Sequence, residues 1–269
     1  MSESAETTLE DRIAALTVEP GTAATVWLGQ GGYLFKSPAG LVVMLDPYLS
    51  DYAEQIWGMR RAVPPPIDHT VLAPDLLLVT HWHEDHLDAP VIRHYASRPG
   101  VVLAGPDSCI VRAAAWGWPA DRLVTLNTGD THTIGDVTVT ATFTRHEVHF
   151  SPAVDAVGFL LDIDGVRIWD VADTEYDARL RRMRDERVDV MLVPINGVGG
   201  NMDVSEAALL AWQVRPTIAV PMHYDMWAPA SFGPAATLDP EVFRDTLTRL
   251  GGETETHILT RGDITLFGA

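Results

Sequence analysis

Three imidazoles and the carboxylate of Asp85 fall within the six residues His81-Trp82-His83-Glu84-Asp85-His86. Neutral imidazole and carboxylate suit borderline divalent ions. An ion held this way lowers the pKa of a bound water and makes it a nucleophile near neutral pH. A lone histidine is more often a surface or hydrogen-bonded core residue than a ligand. The H-x-H-x-D-H spacing, continued by Leu87-Asp88, is far harder to obtain by chance. The run before it, Leu76-Leu77-Leu78-Val79-Thr80, reads as a buried strand. The cluster therefore sits where a strand hands over to a loop.

Three later strands end in the same way. Val137–Thr144 alternates like a half-buried strand and runs into Arg145-His146-Glu147. Val166–Val171 leads to Ala172-Asp173-Thr174, and Thr217–Met222 leads to His223-Tyr224-Asp225. Each delivers a metal-competent side chain at its C-terminal end. His149, three residues after His146, competes with it as a ligand candidate.

The H-x-H-x-D-H stretch and this order of later residues resemble the metallo-β-lactamase fold superfamily. The resemblance implies an α/β fold, a four-layer αββα sandwich, with two divalent metal ions. By position it implies that His81, His83 and His146 hold one metal. Asp85, His86 and His223 would hold the other, with Asp173 bridging. His146 is favoured over His149 because it ends its strand and precedes a glutamate, as in close relatives. Family members usually carry Gly-Asp-Thr at the bridging position, where this chain has Ala172-Asp173-Thr174. Alanine lacks glycine's freedom at positive φ, so the local turn is expected to differ.

One branch is resembled over most of the chain, the L-ascorbate-6-phosphate lactonase-like group. The matching segments are Asp46-Pro47-Tyr48-Leu49-Ser50-Asp51, Pro64-Pro65-Pro66-Ile67, Pro194-Ile195-Asn196-Gly197 with Gly200-Asn201-Met202 and Glu206-Ala207, and Pro221-Met222-His223-Tyr224-Asp225-Met226-Trp227. The last is the most specific. The stretch between Asn196 and Asn201 is short and lacks arginine, unlike the longer charged loop of many relatives, and the chain is shorter than the lactonase itself.

Length and composition fit one compact unit. A polar lead-in over residues 1–20, with a short helix around Leu9–Leu16, precedes a single domain over 21–269. No apolar run reaches the roughly 18 residues of a membrane span, and the acidic start does not read as a signal peptide. Cys109 is the only cysteine, so an internal disulfide is excluded, which fits a cytoplasmic location. It is expected as a buried, inert thiol. With 19 basic residues against 37 acidic ones and a formal charge of −18, nucleic-acid binding is not expected. The Arg179–Arg187 run contains Asp185 and Glu186 and reads as a solvated helix face.

The elements that must position these residues follow from periodicity and turn residues. Strands are expected at Ala24–Leu28, Tyr33–Lys36, Leu41–Leu45, Leu76–Thr80, Val101–Ala104, Thr131–Ile134, Val137–Thr144, Val157–Ile163, Val166–Val171, Val188–Val193, Thr217–Pro221, Thr256–Leu259 and Ile264–Phe267. Helices are expected at Pro90–Ser97, Pro106–Trp116, Asp177–Arg184, Ser205–Trp212 and Pro240–Leu250. Asp164-Gly165 is a hairpin signal. Ser205 is the expected N-cap, and Gly251 the expected helix stop.

The reading that results is a metal-dependent hydrolase using an activated water to open a lactone or ester of a small, anionic metabolite. Asp85 orients the nucleophile. Tyr224 or Asp225 helps the leaving group, although Asp225 equally suits a partner that holds a ligand. Arg60 and Arg61 are candidates to meet a phosphate or carboxylate, and Asn196 and Asn201 to reach the substrate. The alternatives are a phosphodiesterase of the phospholipase D-like branch, a di-iron redox enzyme, a pathway-specific metalloenzyme on the same fold and a degenerate scaffold. The ligand types suit zinc, and the resemblance points to manganese, with iron ranked lower. The expected partner is a small molecule, with neither nucleic acid nor membrane. A homo-oligomer is compatible with the sequence.

Overall fold

The fold is taken from a computed structural model, which describes residues 7–146 and 155–268. Two mixed sheets of seven strands each face one another. The first contains β1 (Thr22–Gly29), β2 (Gly32–Lys36), β3 (Val42–Leu45), β4 (Leu76–Leu78), β5 (Val102–Gly105) and β6 (Leu123–Thr125) side by side in chain order. The second contains β7 (Thr131–Ile134), β8 (Val137–Phe143), β9 (Val157–Ile163), β10 (Val166–Asp170), β11 (Val190–Pro194), β12 (Ile218–Met222) and β13 (Glu255–Thr256). The last strand, β14 (Ile264–Gly268), returns to pair antiparallel with β1.

Both sheets begin as antiparallel meanders and turn parallel at β3–β4 and at β10–β11. The two sheets thus share one plan, a duplication visible in topology though not as sequence repetition. The β9–β10 hairpin turns on Asp164 and Gly165, both at positive φ, as a two-residue primed turn requires.

Alternation along the strands sorts residues between layers. Leu76 and Leu78 face the core between the sheets with Tyr33, Phe35, Phe159 and Leu192. Leu77 faces outward with Met44, Tyr95 and Cys109, beneath α3 (Ala89–Ala96) and α4 (Asp107–Ala115). On the far side, Trp169 and Met191 pack against α5 (Val204–Val214) and α7 (Pro240–Leu250). Strands covered on both faces become the near-continuous apolar runs seen in the sequence. No described helix is long and apolar enough to cross a membrane.

The described part of the lead-in is tied down. α1 (Leu9–Ala15) starts with a capping box between Thr8 and Asp11 and buries Ile13. Lys36 Nζ donates to the carbonyls of Ile13 at 2.7 Å and Ala14 at 3.0 Å. An ammonium at the last turn satisfies otherwise orphaned carbonyls.

Several elements differ from expectation. The helix expected at Asp177–Arg184 is a 3₁₀ run at Leu180–Glu186. Asp177 instead accepts from the backbone N–H and the guanidinium of Arg179, a local bond that competes with α-helix. Asp203, not Ser205, caps α5. Its carboxylate takes the N–H groups of Ser205 and Glu206, both at 2.8 Å, and Glu206 returns the bond to the Asp203 N–H. The strand expected at Thr256–Leu259 pairs only at Glu255–Thr256. Four short elements were not anticipated: α2 (Tyr52–Trp57), a 3₁₀ turn at Ala120–Arg122, β6 and α6 (Pro229–Phe232). They are too short to show a period.

Candidate metal centre

The strand that carries the motif stops early. Pairing of β4 ends at Leu78, and Thr80 turns to Asp46 at the end of β3. Its N–H donates to Asp46 Oδ1 at 2.8 Å and its hydroxyl to Oδ2 at 2.5 Å. That redirection swings the following loop across the C-terminal edge of the sheet. In open α/β sheets this edge is where sites form. The ends of β8, β10 and β12 approach from the second sheet.

The structure brings all seven ligand candidates together. His81, His83 and His146 each offer an atom within 4.8 Å of the others, and so do Asp85, His86 and His223. His83 Nδ1 lies 2.9 Å from His81 Nε2 and 3.1 Å from His146 Nε2. Asp173 lies between the groups. Its Oδ1 is 3.1 Å from His223 Nε2, and its Oδ2 is 3.5 Å from His86 Nε2 and 3.9 Å from His146 Nε2. All seven side chains are buried. His149 lies outside the described residues.

Hydrogen bonding within the protein leaves key atoms unused. His86 Nε2, His223 Nε2 and Asp173 Oδ1 are buried and make no hydrogen bond of good geometry, the 3.1 Å approach of the last two being a charge contact. Buried polar atoms are costly when unsatisfied, so lone pairs converging on one point fit a cation.

Protonation agrees with that fit. Burial pushes His81 well below the usual imidazole range, and His146 is pushed down to about 4, so both rings are neutral ligands at neutral pH. Burial also acts against the charged ring of His86, but the carboxylates of Asp85, Asp173 and Asp46 outweigh it and raise its pKa well above normal. Burial would raise Asp173, yet His223 and His86 hold its carboxyl well below the usual range. The carboxylates thus demand positive charge.

Backbone strain gathers at the same place. Asp46, Ala172 and His223 have φ of 42°, 61° and 66°. Ala172, which replaces the glycine of the family pattern, adopts the left-handed conformation all the same. Residues held there away from glycine typically mark sites whose surroundings over-determine them.

The comparisons with known proteins agree with this geometry. A family model described as a beta-lactamase superfamily domain matches residues 25–223. The chain belongs to that superfamily. A UPF0173 metal-dependent hydrolase of Polynucleobacter asymbioticus is 30% identical over 227 residues, covering 76% of this chain and 75% of the relative. Among solved structures, Igni18, a metallo hydrolase from Ignicoccus hospitalis, superposes with a TM-score of 0.69 at 22% identity, over 92% of this chain and 99% of that one. An isothiocyanate hydrolase from Delia radicum gut bacteria gives 0.71 at 16% identity, over 91% and 100%. These two establish likeness of fold.

On this superfamily sandwich, a cavity of about 390 Å³ opens over His83, Asp85, Asp173 and His223. Asn196 and Asn201 line it, as the sequence suggested. The Asn201 oxygen is already engaged, accepting from the Thr174 N–H at 2.8 Å and so fixing the backbone beside Asp173.

The other candidates do not line it. Tyr224 turns away to pack 5.3 Å from the Trp27 ring. Asp225 binds Arg261 at 2.8 Å. Arg61 donates from Nε to the Val63 carbonyl and from Nη1 to the carbonyls of Tyr48 and Ser50, and its guanidinium covers the Tyr48 ring. Arg60 and Arg61 border a separate cleft with Asp51 and Glu54. The physical reason is common to these residues: each has a nearer partner than the cavity, or faces another one.

Two positioning residues escaped sequence reasoning. Asp46 Oδ2 stands 2.7 Å from His86 Nδ1. Gln30, at the β1–β2 turn with φ of 54°, donates from Nε2 to Asp85 Oδ2 at 2.8 Å. Its carbonyl accepts from the His223 N–H at 3.2 Å. Asp46 heads a segment that carried the family resemblance, which was the available signal. Gln30 had none.

Proposed function

We propose that the protein is a metal-dependent hydrolase that opens an ester or lactone carbonyl. The observation that carries this reading is the convergence of seven buried ligand-type side chains beneath one cavity, which His83, Asp85, Asp173 and His223 line. His81, His83 and His146 would hold one divalent ion, Asp85, His86 and His223 the other, and Asp173 both. Manganese and zinc suit this mixed set. A bound pair supplies Lewis acidity and a water of lowered pKa.

The chain's own groups do the remaining work. Gln30 fixes the Asp85 carboxylate and so aims its free lone pairs at the cavity. Asp85 accepts the proton of the attacking water and returns it to the leaving alkoxide, so that ester and water become acid and alcohol. Tyr224 and Asp225 face elsewhere and are not assigned this proton. Asn196, whose Oδ1 has no partner and which lines the cavity, orients the substrate.

No arginine or lysine lines the cavity among the described residues. An anionic group placed away from the metal ions would therefore meet no side-chain cation in the cavity, whereas a phosphodiester held at the ions themselves is distinguished by the test that follows. The test is hydrolysis of a lactone and ester panel by protein reconstituted with manganese or zinc, with metal counted per chain and His81→Ala as control. Turnover lost in the control, with two ions per wild-type chain, supports the reading. A fully loaded protein inert on every carbonyl substrate overturns it.

A further inference from the structure

The cavity has a collar that the hydrolytic chemistry does not use. Trp57 at the end of α2, Met59, Val198, Trp227 and Phe232 in α6 form its walls. The rings are in mutual contact. Trp227 and Phe232 lie 5.5 Å apart, and Trp57 meets Trp227 edge-on at 6.2 Å. Trp57 also stands edge-on to the His83 ring at 6.4 Å, which joins the collar to the ligand cluster.

Trp57 is 39% exposed although it belongs to this apolar group. An exposed large apolar face beside a site is a place that a ligand covers. At the collar end a negative charge would meet apolar walls and no paired cation, an unfavourable burial. Arg61, a cation close by in sequence, is committed to the Tyr48 and Ser50 carbonyls.

We propose that the substrate is an uncharged ester or lactone bearing an aryl group, and that Trp57, Trp227 and Phe232 grip that group while the carbonyl faces His83 and His223. Edge-to-face packing of aromatic rings is favourable beyond the area it buries. The substrate class rests on the hydrolase reading, whereas the binding collar stands without it.

The test compares three γ-lactones that share an aliphatic alkoxide leaving group on the metal-loaded protein: γ-phenyl-γ-butyrolactone, γ-butyrolactone and γ-carboxy-γ-butyrolactone. The phenyl lactone is expected to exceed the other two in kcat/KM by about tenfold or more, the scale of burying an aryl group. Trp57→Ala lowers the phenyl-to-unsubstituted ratio by about tenfold, through KM, and Trp57→Phe recovers most of it. Preference for the carboxylated lactone, or a ratio unchanged by Trp57→Ala, overturns the proposal. If neither these lactones nor any ester of the wider panel reacts, the hydrolytic reading fails and the collar is judged by binding alone. Intrinsic tryptophan fluorescence is then titrated with the neutral ketone 4-phenyl-2-butanone. Saturable quenching, weakened about tenfold in Phe232→Ala, supports the collar. Absence of saturable quenching in the wild type overturns it.

Discussion

Asp46 Oδ2 lies 2.7 Å from His86 Nδ1, and the same carboxylate accepts both the N–H and the hydroxyl of Thr80. A carboxylate that takes these donors fixes Nδ1 as the protonated nitrogen. Nε2 is then the nitrogen left to face the cluster, where a bound metal would take its lone pair in place of a proton. Such outer partners raise ligand basicity and hold the ring in place.

Asp46→Asn is therefore expected to cut metal affinity by about 10- to 100-fold. The asparagine amide would present a donor where acceptors are needed. Metal titration monitored by calorimetry measures this. Affinity within twofold of wild type would remove Asp46 from the site's support.

Gln30 tests a second support. Gln30→Ala removes the only side-chain amide on Asp85 Oδ2 among the described residues and leaves the backbone carbonyl that receives His223. A single lost hydrogen bond to a charged group costs about 1.5–3 kcal/mol. A fall of about tenfold or more in kcat is expected, with metal content unchanged. Metal loss equal to that of the Asp46 variant would instead make Gln30 a ligand support.

Cys109 is fully buried in α4. Burial raises its thiol well above the ordinary range. Native protein should resist a thiol reagent at neutral pH and react fully once unfolded. The linkage has a definite sign. An unfolded thiol ionises near pH 8.5, whereas the folded one stays neutral. The stability it contributes is complete below about pH 8.5 and declines as pH rises beyond that. The wild-type urea midpoint should fall more steeply between pH 8 and 10 than that of Cys109→Ala. Parallel slopes would contradict the burial effect.

Much of the site was legible because ligand chemistry is local. His81 to His86 lie on one loop, and His146, Asp173 and His223 each follow a strand readable from its alternation or its apolar run. Strand ends were displaced by a residue or two where side chains such as Thr80 left the ladder for another partner. The walls were less legible. Trp57 and Phe232 sit in helices of six and four residues, below the length at which a period appears. Arg61 and Asp225 read as polar groups free for substrate. The sequence does not reveal that Tyr48, Ser50 and Arg261 reach them first. Partner choice among surface-capable groups is a tertiary fact.

Gly31 shows how closely the backbone approaches the ligands. A Cβ built there would lie 3.0 Å from His86 Cε1 and 3.9 Å from His223 Cδ2. His86 has little room to retreat, because Asp46 holds its other side. Gly31→Ala should then displace the ring and lower metal affinity by about tenfold, a smaller effect than losing the Asp46 carboxylate outright. Global stability should change by less than about 1 kcal/mol, since Ala restricts the unfolded chain more than Gly does. Metal titration and urea unfolding of the metal-free protein separate the two effects. A large loss of stability with unchanged metal affinity would mean that the strain is absorbed by the β1–β2 turn and never reaches His86.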